Sequence, residues 1–95
     1  MKASTILERL ERAAKLQMVN RTSCAYKLVK QAAENENPTI RPVWTSGSGR
    51  FCKNMDYTQD VTNLLSVLRI RYIVGNDAAR GGLTGNFIEI KHLVK

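Results

Sequence analysis

The residues best suited to chemistry are those from Gly75 to Asn86, Gly-Asn-Asp-Ala-Ala-Arg-Gly-Gly-Leu-Thr-Gly-Asn, which hold four of the chain's six glycines. Glycine lets backbone amides come close to a ligand, and the guanidinium of Arg80 is a planar, permanently charged fork for phosphate. With Gly81 and Gly82 beside it, Arg80 supplies the parts of an anion-binding loop. The spacing contains neither GxGxxG nor Gly-Lys-Ser/Thr, so it matches no standard phosphate signature. Read as plain structure, the same stretch is a long hairpin loop with a Gly-Asn turn at each end.

A second basic stretch runs from Arg41 to Lys53. Arg41, Arg50 and Lys53 alternate with Trp44 and Phe51, and no acid falls between Glu36 and Asp56. Aromatic rings can stack on unpaired bases while the cations follow phosphates. The same two rings are also large apolar groups that suit a core. Arg69 and Arg71 lie just ahead of the glycine-rich loop and would extend a phosphate-binding footprint. On the second expected helix, Tyr26, Lys27, Lys30 and Gln31 form a polar face, which suits either a groove-reading helix or plain solvation.

Nothing in the chain assembles a catalytic constellation. His92 is the single histidine, on an expected strand and away from any nucleophile pattern. Asp56, Asp60 and Asp77 fall on different elements. A dedicated metal site has too few donors, and no cofactor motif is present. The chain therefore reads as non-enzymatic.

Charge gives that reading its direction. Fifteen Lys and Arg against eight Asp and Glu leave a formal net charge of +7. The excess is even, with eight basic and four acidic residues in 1–48 and seven and four in 49–95. Such a surface attracts polyanions over a range set by ionic screening. Cys24 and Cys52 are isolated, with no CxxC and no paired histidine; they read as small apolar residues of a reducing compartment, with a bridge between them left open. No apolar run approaches membrane length, and Glu8, Arg9, Glu11 and Arg12 interrupt any secretory pattern. A cytoplasmic address is the default expectation.

The elements that must position these residues follow from periodicity. Thr5 to Glu8 has the spacing of a capping box, and Ile6, Leu7, Leu10, Ala13 and Ala14 recur at helical intervals, giving a helix over about 5–18. Thr22 or Ser23 caps a second over about 23–34, which Asn35, Asn37 and Pro38 end. Ile40, Pro42 and Trp44 suggest an edge strand or extended arm within 39–55. Val61, Leu64, Leu65 and Leu68 mark a third helix over about 58–68. Ile70, Tyr72 and Val74, then Ile88, Ile90 and Val94, alternate on either side of the glycine-rich loop as a β-hairpin.

The sum is a single α+β domain over 1–95: about three helices packed on a short antiparallel sheet, with a C-terminal β-hairpin. The order from 58 to 94 resembles the C-terminal half of a winged-helix module, in which the helix before the hairpin reads a groove. Here that helix has no cation until Arg69. The leading expectation is a nucleic-acid-binding protein contacting phosphates through Arg80, Gly81, Gly82, Arg69, Arg71, Arg41, Arg50, Lys53 and Trp44. The alternatives are an adaptor or inhibitor that binds an acidic protein surface, a homo-oligomer among them, and a nucleotide-binding module built on the 75–86 loop.

Overall fold

The structure is a computed structural model and describes residues 2–42, 57–76 and 86–94. Helix α1 spans Ala3–Lys15, α2 Cys24–Glu34 and α3 Thr58–Val67; strand β1 is Thr39–Ile40, β2 Tyr72–Asn76 and β3 Asn86–Ile90, followed by a 3-10 turn at Lys91–Leu93. The strands form one antiparallel sheet in the order β1-β3-β2. The α+β architecture expected from the sequence is thus what forms.

Each helix is fixed by its apolar stripe. In α1, Ile6, Leu10, Ala13 and Ala14 are buried, the spacing that faces one side of a 3.6-residue turn. The helix starts earlier than the Thr5 capping pattern implies. Lys2 is the N-cap without any side-chain bond, and its carbonyl accepts the amides of Thr5 at 3.0 Å and Ile6 at 3.2 Å. Thr5 is thereby inside the first turn and not at its cap. At α2 the expectation holds, because the Ser23 hydroxyl accepts the Tyr26 amide at 3.2 Å.

Tyr26 itself corrects the sequence reading, since it is buried rather than part of a polar face. The reason is position: α2 packs against α1, α3 and β1 at once. A central helix needs a wide apolar arc, so Tyr26 and Ala33 join Ala25, Leu28, Val29 and Ala32 inside. The buried Ala25, Ala32 and Ala33 of α2 and Ala13 of α1 are small enough to let helices approach closely.

All three helices end the same way. The amides of Met18, Asn37 and Ile70 reach back to the carbonyls of Ala13, Ala32 and Leu65, and those of Gln17, Glu36 and Arg69 to Ala14, Ala33 and Ser66. This is the paired six-to-one and five-to-two bonding that closes a helix through a left-handed residue. Glycine usually takes that residue, yet here it is Gln17 (φ 59°), Glu36 (φ 51°) and Arg69 (φ 58°). Each costs roughly 1–2 kcal/mol of backbone strain that glycine would avoid.

In the sheet, Ile88 and Ile90 of the central strand and Ile40 of β1 are buried under the helices. The opposite face is built differently. Gly75 pairs with Phe87, and a Cβ on Gly75 would come within 2.5 Å of the Phe87 ring. The ring lies across the glycine, and Arg41 places its guanidinium 5.4 Å from the ring centroid. Two details of the expected hairpin change. Strand β3 stops at Ile90, so His92 lies on the 3-10 turn rather than on a strand, and Val94 beyond it is exposed. Ile70 belongs to the closure of α3, and strand β2 begins at Tyr72.

Candidate functional site

Arg9 is half-buried on α1, one residue before buried Leu10. Its Nη1 donates to the carbonyls of Leu68 at 2.9 Å and Arg69 at 3.3 Å. Those carbonyls end α3, where the helix leaves acceptors without helical partners and a partial negative charge. Arg9 therefore fastens α1 to the end of α3. Arg12 follows three residues later on the same helical face. Arg69 takes the left-handed position that closes α3, and Arg71 leads into β2.

Arg71 in turn holds the 3-10 turn in place. Its carbonyl accepts the Lys91 amide at 3.0 Å, and its amide donates to Nε2 of His92 at 3.3 Å. A nitrogen that accepts a hydrogen bond is unprotonated, which agrees with a His92 pKa lowered below the ordinary value. Burial is the main cause, followed by the positive charges of the amino terminus, Arg71 and Arg9.

These side chains line one open groove of about 450 Å³ between α1 and the α3–β2 connection. Four arginines, Arg9, Arg12, Arg69 and Arg71, meet there with His92, and among the described residues no carboxylate lines it. Two helix ends, α1 and α3, point into the neighbourhood, each equivalent to about half a negative charge. Four guanidinium groups exceed that by about three charges, so the groove is electropositive on balance. Elsewhere Glu11 pairs with Arg21 at 2.8 Å on the surface, and this bond and charge lower the Glu11 pKa. None of the four groove arginines has such a partner among the described residues. One wall is apolar: Leu16, Met18 and Val67 are 63%, 57% and 47% exposed.

Of the residues singled out in the sequence, Arg69 and Arg71 come together in this groove. Arg41 does not; it lines a separate hollow between the end of α2 and β1. Trp44, Arg50, Lys53, Arg80, Gly81 and Gly82 lie outside the described residues. The sequence reading missed Arg9, Arg12 and His92. Arg9 and Arg12 looked like an ordinary charged helix face, and their partners are about sixty positions away. The three-residue spacing of two arginines beside exposed Leu16 was the available signal.

Cys24 also departs from its sequence reading, since it is disulfide-bonded rather than a free apolar thiol. The chain's other cysteine, Cys52, lies outside the described residues. Among the described residues no group of His, Cys, Asp and Glu could hold a metal ion, and no helix is long and apolar enough to cross a membrane. No protein-family model, curated protein or solved structure matches this chain.

Proposed function

We propose that this chain is a non-enzymatic binding protein that holds nucleic acid by its phosphates in the groove of Arg9, Arg12, Arg69 and Arg71. One observation supports this above the rest: two arginines of α1 and two of the α3–β2 connection share a groove that, among the described residues, no carboxylate lines. Guanidinium groups not paired with a carboxylate favour phosphate because each offers a fork of donors at fixed geometry. The chain's overall +7 adds long-range attraction to the local contacts. Arg80, Gly81 and Gly82 remain proposed phosphate contacts on the strength of their residue types.

Binding of this kind depends on salt through counterion release. With four phosphates neutralised, log K should fall against log salt with a slope of about −3 to −4. Fluorescence anisotropy with labelled duplex and single-stranded oligonucleotides between 50 and 300 mM salt measures it. Weak binding that stays flat across that range refutes the proposal.

A second reading has a specific observation behind it. Leu16, Met18 and Val67 give the groove an exposed apolar wall, which phosphate does not need. An acidic protein segment with apolar side chains would use both halves. Retention of a stoichiometric acidic protein, with no nucleic acid, selects this reading. The cytoplasmic address also remains a proposal, and the Cys24 disulfide weighs against it because such bonds persist mainly in oxidising compartments.

A further inference from the structure

The two edges of the sheet are built differently. β1 has only two residues, Thr39 and Ile40, with Pro38 before it and Arg41-Pro42 after. Short length, proline and charge are the usual means of keeping an edge from pairing with another chain. β2 has none of them. It is five residues long, Tyr72-Ile73-Val74-Gly75-Asn76, and contains neither a charge nor a proline although 24% of the chain is charged.

The direction of its backbone groups follows from the ladder. In an antiparallel pair, residues alternate between bonding across and pointing away. The Lys91 amide donates to Arg71, which makes 71 and 91 a bonded pair. By the register, Ile73 with Glu89 and Gly75 with Phe87 are the next bonded pairs. Tyr72 and Val74 therefore aim their amides and carbonyls off the edge, and β2 is the outermost strand there among the described residues. The side chains are open as well: Ile73 is 40% exposed on one face and Val74 50% on the other.

We propose that β2 pairs antiparallel with β2 of a second copy of this chain, about a two-fold axis through Val74, so that two three-stranded sheets become one. The register is self-complementary. Val74 bonds to Val74 of the second copy, and Tyr72 faces Asn76 of that copy. Ile73 falls opposite Gly75 of the second copy, the one position of β2 without a side chain. There it meets the ring of Phe87 that already lies across that glycine. A second copy fits this edge better than an acidic partner, because five uncharged residues offer a carboxylate no countercharge. The contact is smaller than the roughly 1,200 Å² of a stable interface, so the dimer is weak and depends on concentration.

Sedimentation of the wild-type chain tests this between about 10 µM and 1 mM, in about 0.3 M salt, where screening shortens repulsion between two +7 molecules to about 6 Å. The mass should move from monomer toward dimer. Amide hydrogen exchange read by NMR over the same range supplies a second measurement that needs no variant. The Tyr72 and Val74 amides should slow at least tenfold at the high end, while those of Ile73 and Gly75, bonded to β3, stay protected throughout. Val74→Lys should hold the chain monomeric. A wild type that remains monomeric at 1 mM overturns the proposal, as does a dimer in which Tyr72 and Val74 exchange as fast as in the monomer.

Discussion

Arg69 has two roles that one substitution can separate. Its backbone closes α3 in the left-handed region at φ 58°, while its side chain joins the groove. Holding an L-residue there costs about 1–2 kcal/mol. Glycine removes that cost but loses about 0.5–1 kcal/mol of extra chain entropy on folding. Arg69→Gly should therefore stabilise the fold by roughly 0.5–1 kcal/mol, which for a chain of this length raises Tm by about 2–8 °C. The Leu68 and Arg69 carbonyls that Arg9 binds are untouched.

The same variant should bind nucleic acid more weakly. Loss of one charge-assisted phosphate contact costs about 1.5–3 kcal/mol when well ordered, and less in an open groove. The salt slope should become shallower by about 1. Two controls bracket the result. Gln17→Gly relieves the equivalent strain at the end of α1 and should raise Tm without changing binding. Arg69→Gln keeps the strain and should lose only affinity. Thermal unfolding by circular dichroism and anisotropy titrations read the two effects. If Arg69→Gly lowers Tm while Gln17→Gly raises it, the arginine side chain is part of the fold rather than reserved for a ligand. Equal affinity and equal slope for wild type and Arg69→Gly remove Arg69 from the site.

Three further outcomes are expected. The His92 pKa is lower in the folded chain than its ordinary 6.5, so the unfolded chain takes up the proton first; stability should be full above about pH 6.5 and fall as pH drops through the folded value. His92→Gln should flatten that part of a stability–pH profile, and bound polyanion should raise the His92 pKa followed by NMR. Gly75→Val should displace the Phe87 ring and its Arg41 contact, costing about 1–3 kcal/mol as overpacking does, measured by urea unfolding; an unchanged midpoint would show that the ring moves freely. Intact mass of the non-reduced chain should be about two daltons below that of the reduced one if Cys24 is bridged within the chain, and an unchanged mass contradicts the bridge.

Several parts of this fold were legible residue by residue. The stripes of α1 and α3, the Ser23 cap of α2 and the alternation of β2 and β3 are local patterns. A window of a few residues contains both the signal and its cause, because helix and strand periods are set by the backbone itself. The +7 charge was equally plain, and it fixed the class of partner considered. These determine which elements form and which way each one faces.

Tertiary structure decided which elements meet. β3 becomes the central strand because β1, some fifty residues earlier, pairs with its far side, and nothing within β3 records that. Tyr26 turns inward because α2 is enclosed by three neighbours, whereas its own periodicity places it among lysines. The groove is the clearest case: Arg9 and Arg12 meet Arg69 and Arg71 only when α1 lies across the end of α3. Charge in the sequence counts cations, but a site needs them in one place, and that depends on packing between segments far apart in the chain.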